Sequence, residues 1–362
     1  ENGQLTVTGT LSDTTAVTVD SGATYDVAST DTIGSIAGAG SVVLGNGVTL
    51  TAGGVNTNTT FSGAMSGQGG FTKVGTGTTI FSSANTYTGA TNINNGKLTV
   101  SGSLADTTVL SVASGATYDV ASSDTVGSIE GAGNITLGSG FVLTAGGLDS
   151  DTTFSGTMSG DGGFTKVGDG TTRITGATKS WKGVTNVDGG TLELEATSTY
   201  SFGGYASTTA AGSGNTININ NGSTLLISGG QGQFNGTTFV FDAAGGGTIM
   251  LDADNFVNRN TTYVTQGGAQ NTIDFDNNNF RLFNLDGSGN TTTFDVAAGD
   301  DPVDLLITAA MMNPAAVVKD GDGTLTLTGD NTYTGATTIN AGNLVIENNS
   351  PSLSSSGYSG AG

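Results

Sequence analysis

Apolar residues recur at every second position in short runs along this chain, and each run stops at Gly, Asn or Asp. Leu98 and Val100, Ile217 and Ile219, Phe239 and Phe241, and Ile273 and Phe275 are typical pairs. Alternate side chains of a strand face opposite ways, so this pattern predicts short strands with one buried face. Between the runs lie residues suited to corners: GAGS at 38–41, GNG at 45–47, AGG at 52–54, NNG at 94–96 and 220–222, and AGG at 244–246. Gly takes positive φ without strain, and Asn and Asp tolerate it while bonding their own backbone. Helical spacing is scarce; Leu305–Met312 reads as either a helical turn or a strand.

The pattern repeats. Leu5 and Leu98, Val7 and Val100, and Tyr25 and Tyr118 are each 93 residues apart (98−5, 100−7, 118−25). The match runs through Gly34/Gly127, Ile36/Ile129, Phe61/Phe154 and Lys73/Lys166, then slips by one near Arg173 so that Tyr87 aligns with Trp181. Residues 1–194 thus read as two tandem units of about 93 residues. A third, partial copy (319–350) aligns with Lys73–Val100 at an offset of 246 (319−73). Residues 195–318 read as degenerate turns with longer loops, and 351–362 as a flexible tail. Between copies, Val42, Leu44, Val48 and Leu50 become Ile135, Leu137, Phe141 and Leu143, while Val43 becomes Thr136. The even positions therefore face a core and Val43 faces out. Repetition of extended units predicts a solenoid of stacked strands, which buries each turn against its neighbours. Turns of roughly 20–25 residues make the 93-residue unit about four turns. The whole is then roughly sixteen turns, a rod on the order of 75 Å long at about 4.8 Å per rung.

The motif NTYTGATTINAGNLVI at Asn331–Ile346, with NTYTGATNINNGKLTV at Asn85–Val100 and WKGVTNVDGGTLEL at Trp181–Leu194, carries a resemblance. Gly321–Ile346 and Gly75–Val100 resemble the passenger-associated transport repeat of bacterial autotransporters. The resemblance implies a right-handed parallel β-helix, secretion across two membranes of a Gram-negative cell, and an extracellular location on its outer surface. It implies no single activity, because passengers of this type include adhesins, self-associating factors and some enzymes. The chain shows neither a signal peptide nor a C-terminal barrel pattern, and so reads as an excised passenger segment.

Composition sharpens this. The chain has 362 residues, 62 glycines, no cysteine and no histidine. Glycine without a G-X-Y period is not collagen, and the alternating aliphatics are not the mark of disorder. A net charge of −21 excludes nonspecific nucleic-acid binding and disfavours anionic membranes, and no membrane insertion is expected. Without histidine there is no Ser-His-Asp triad.

Candidate chemistry is sparse. Asp252/Asp254 and Asp274/Asp276 would share strand faces, with Arg259 or Arg281 near, and Asp300/Asp301/Asp304 form a further cluster. Such groups resemble the acids of polysaccharide-cleaving β-helices, but solvated corner aspartates account for them better. Asp320-Gly-Asp322-Gly-Thr324 opens like a calcium loop, yet its twelfth position is Asn331, and Val74–Thr78 carries no acid. Weak surface calcium is the most that is expected; no catalytic, cofactor or metal residue is assigned. Ser198–Gly214 is the segment best suited to leave the coil. The expected function is an adhesive or structural surface protein, self-associating through its faces or ends, with itself or a host matrix surface as partner. The alternatives are a carbohydrate-active enzyme, or a passive stalk.

Overall fold

A computed structural model describes residues 3–176, 179–196, 200–202, 215–275, 280–282, 290–308, 310–312 and 315–347. Among these there is no helix, and every paired strand is parallel to its neighbour. The chain winds into a β-solenoid of about 15 turns with three walls. Wall one starts with Ala16–Val19, Ser35–Gly38 and Thr59–Phe61. Wall two starts with Gln4–Val7, Thr24–Val27 and Ser41–Leu44. Wall three starts with Asp31–Ile33, Thr49–Ala52 and Gly70–Lys73. Leu305–Ile307 and Met311–Met312 are strands of this coil.

The alternation seen in the sequence is the inside–outside pattern of each wall. Val42, Leu44, Val48 and Leu50 are buried with their counterparts Ile135, Leu137 and Leu143, Phe141 is half-buried, and Val43 faces water. Leu5 departs from the expectation. It is 49% exposed, whereas Leu98 is buried, because Leu5 packs on Tyr25 from one side only. Rung length also varies more than expected, from 17 residues (Thr24 to Ser41, 41−24) to 34 (Asn271 to Leu305, 305−271). Beyond residue 215 the interior becomes an aromatic column. Phe239, Tyr263 and Phe294 stack at 5.1 and 5.2 Å. Here Thr224–Asn235 and Thr248–Arg259 run straight through a corner, so that walls three and one become continuous.

The unit of 93 residues does not close a whole number of turns. Gly70–Lys73 lies in wall three, but its counterpart Gly163–Lys166 lies in wall two. Likewise Lys97–Val100 lies in wall one and Thr191–Ala196 in wall three. The second copy is therefore turned by one wall relative to the first. The third block, with Ala316–Asp320 in wall two and Asn343–Ile346 in wall three, keeps the phase of the second.

Candidate functional site

The corners hold the chemistry. Lys73, Lys166 and Lys319 occupy one place in the three blocks, and all are buried. Lys73 Nζ donates to the carbonyls of Val74 (2.6 Å) and Gly75 (2.8 Å) in its own corner, and of Asn95 (3.4 Å) one rung on. Lys166 reaches Val167, Gly168 and Gly189 at 2.8, 2.8 and 3.2 Å. Lys319 reaches Asp320, Gly321 and Ala341 at 2.6, 2.6 and 3.2 Å. A tight corner turns carbonyls away from the ladder, and an ammonium has three donors to meet them. Each lysine thus clamps two successive corners. Burial pulls the Lys73 ammonium down to about 8. It also lowers Lys166, where Asp149, Asp169 and Asp151 act the other way. Gly53 (φ 115°) makes the clamp possible from the preceding rung: a Cβ there would lie 2.2 Å from the Val74 carbonyl oxygen.

The motif residues brace the same rungs. Asn85 Oδ1 accepts from Met65 N at 3.0 Å, and its Nδ2 donates to the carbonyls of Ser83 and Ser103. Asn331 repeats this on Met311 N at 2.9 Å. The hydroxyl of Tyr87 pairs with Thr91 at 2.7 Å, that of Tyr333 with Thr337 at 2.8 Å, and Trp181 Nε1 donates to Thr185 at 2.8 Å. The Trp substitution keeps the donor. Tyr25 donates to Asp31 and Tyr118 to Asp124, inside the coil. Burial pushes both phenols up.

The predicted acids sit apart. Asp252 is exposed, and Asp274 accepts from the Thr308 hydroxyl. Asp276 and the side chains of Asp254, Arg259 and Arg281 lie outside the described residues, as does most of 198–214. Asp301 accepts from Gln270 N at 2.8 Å, and buried Asp304 accepts from Gly299 N at 2.5 Å and Thr324 N at 2.7 Å. Asp320 caps Gly321 N at 3.0 Å, while Asn331 is taken up by Met311. Among the described residues no three acids are grouped to hold a metal ion. Asp301, Asp304 and Asp320 build caps on backbone N–H groups.

What remains is the outside of the walls. Thr171, Thr191, Thr224, Thr248 and Thr272 stand in register on five successive rungs of wall three. Beside them in sequence are Arg173, which bridges Glu193 (3.0 Å) and Glu195 (2.9 Å), and exposed Met250. On wall two, Asn218 donates to Asn186 at 2.7 Å and Asn186 to Thr165 at 3.1 Å, a side-chain ladder running along the rod.

The pattern of the Passenger-associated-transport-repeat matches residues 71–100, 164–194 and 317–346. The chain carries this transport repeat in three copies. Each matched copy begins near a clamp lysine and ends on the strand that closes the rung. The repeat is therefore a full corner-to-corner unit, fastened in the first and third copies by its lysine, asparagine and Tyr–Thr pair, and in the second by Lys166, Lys179 and the Trp181–Thr185 pair. The chain is also 33% identical over 225 residues to the Adhesin BmaC autotransporter of Brucella suis biovar 1 (strain 1330). That match covers 60% of this chain and 6% of the relative, so the chain spans a small part of the relative's length. No solved structure matches the chain.

The clamp was the feature sequence reasoning missed. Its signal was a lysine kept at one place in all three blocks of a chain with only 9 basic residues.

Proposed function

We propose that this chain is an extracellular segment of an autotransporter adhesin passenger, on the outer surface of a Gram-negative cell, and that it is not an enzyme. The observation that carries the reading is the extended likeness to an adhesin autotransporter, laid along a rod whose workable surface is its walls. Walls of Thr and Asn offer many weak hydrogen bonds, and such contacts gain strength by number rather than individually. The partner is a host or matrix surface, or the wall of another copy. Asp301, Asp304 and Asp320 are already committed to backbone N–H groups and Asp274 to the Thr308 hydroxyl, which weighs against acid–base work by these carboxylates.

Beads coated with the purified chain should be retained on host-cell monolayers and on matrix-coated plates, in proportion to coating density. Retention equal to that of beads bearing an unrelated β-rich protein would overturn the adhesive reading and favour a passive stalk. Cleavage of a polysaccharide by the chain, abolished by Asp274→Ala, would overturn the non-enzymatic one.

A further inference from the structure

An Asn–Gly step lets a chain react with itself, because glycine has no side chain to hold its nitrogen away from the preceding carboxamide. Among the described residues, Asn46–Gly47, Asn95–Gly96 and Asn221–Gly222 are such steps with both side chain and backbone placed. All three asparagines are exposed, and the glycines share one backbone shape, with φ of 68°, 66° and 70°. The side chains differ. Gly96 N donates to Asn95 Oδ1 at 2.7 Å, and among the described residues that N–H has no main-chain acceptor. Neither Gly47 N nor Gly222 N has a hydrogen bond to the asparagine before it. The carbon of the Asn95 carboxamide is bonded to the accepting oxygen, so the Gly96 nitrogen lies within about 3.9 Å of it. Asn95 is also where the first clamp ends: Lys73 Nζ donates to its main-chain carbonyl at 3.4 Å.

We propose that Asn95 is a self-modification site, at which the Gly96 nitrogen displaces ammonia from the side chain and water opens the product mainly to isoaspartate. The Gly96 N–H gives its proton to hydroxide as the N–Cγ bond forms. The Cγ–Nδ2 bond breaks, and Nδ2 takes up a proton and leaves as ammonia. The five-membered imide has two carbonyls, the former side-chain Cγ and the former main-chain carbon of Asn95. Water that adds at Cγ restores the chain with aspartate. Water that adds at the main-chain carbon routes the chain through Cβ and Cγ, which is isoaspartate. No oxidant or reductant takes part. The Lys73 ammonium selects between the two, because it sits on the main-chain oxygen, where negative charge gathers as water adds there. Isoaspartate then turns the clamped carbonyl into a free carboxylate, lengthens the corner by a carbon and adds a negative charge beside Lys73. Gly189 and Ala341 stand at this place in the other two blocks, so the site belongs to the first repeat alone. This inference is independent of the adhesive reading, since it needs only the geometry of the corner.

The test incubates the whole, folded 362-residue chain at mildly alkaline pH. Peptide mapping by mass spectrometry follows conversion at each asparagine, and electron-transfer fragmentation separates isoaspartate from aspartate. Asn95 should convert about tenfold faster than Asn46 and Asn221, the gain from a contact already formed. In urea the three rates should converge. Asn95→Ala, which places the residue of the third block at this corner, should lose the signal at 95 and keep the other two. The isoaspartate share at Asn95 should exceed that at Asn46, and Lys73→Met should bring it down to the Asn46 level. An Asn95 that converts no faster than Asn46 in the folded chain overturns the site. Equal isoaspartate shares at Asn95 and Asn46 in the folded wild-type chain overturn the part given to Lys73, whatever the stability of the Met variant.

Discussion

Residues 85–100 and 331–346 carry nearly the same sequence, share the hydrogen bonds of their Asn and Tyr to the same partners within and behind the turn, and differ in burial. Asn85 and Asn331 each bracket a backbone N–H one rung back, and Tyr87 and Tyr333 each pair with a threonine four residues on. Lys73 and Lys319 clamp both corners alike. Yet Ile93 is buried and Ile339 is more than half exposed. The difference separates two kinds of stabilisation. Polar fasteners bond single carbonyls and N–H groups of their own and adjoining rungs, so they form in both copies. The apolar interior is a property of the next turn as well, and is incomplete until that turn arrives.

The largest test of this separation is a pair of cavity substitutions. Ile93→Ala should cost about 2–5 kcal/mol, and Ile339→Ala less than about 0.5 kcal/mol, read as the shift of the urea midpoint together with amide exchange in each turn. Equal losses would break the comparison. Next come the clamps. Lys73→Met and Lys319→Met should each cost about 2 kcal/mol, because each strips donors from buried carbonyls; a much smaller loss at Lys319 would show that the clamp depends on cover after all.

The pH response is a milder probe. Burial lowers Lys73 and Lys179 to about 8, against roughly 10.4 in the unfolded chain. Between those values the unfolded chain holds more protons, so stability rises with pH across that window and is level below about 8, where both states are protonated. Tyr25, Tyr87 and Tyr118 are shifted up by burial. Unfolded tyrosine ionises near ~10, so stability declines above that point. Thermal melts should therefore peak near pH ~10, and Lys73→Met should flatten the rising limb. The smallest effect is Tyr87→Phe, about 1 kcal/mol for one buried hydrogen bond, with a lesser loss for Tyr333→Phe, whose hydroxyl has water as a substitute.

Alternation and repetition made the strands, the corners and the inward residues legible before any coordinates. Val43 out and Val42 in followed from period two alone. Leu5 did not, because a strand pattern reports which way a side chain points and says nothing about whether another rung lies above it. Rung length was misjudged because a period-two pattern marks each strand and not how many residues separate one strand from the next. The clamp lysines escaped because lysine at an inward position reads as a contradiction until the carbonyls of two corners are seen around it. Asp301, Asp304 and Asp320 looked like chemistry in the sequence; backbone N–H groups, invisible to side-chain patterns, are what they serve.

The turn of one wall between successive units has a consequence for what a longer array of them would do. A binding patch copied along with its unit looks out in a new direction each time, and only the third duplicate faces the way the original did. Lengthening by whole units would then add reach around the full circumference, suited to a crowded, three-dimensional mesh of receptors. A flat target would meet just one copy in three.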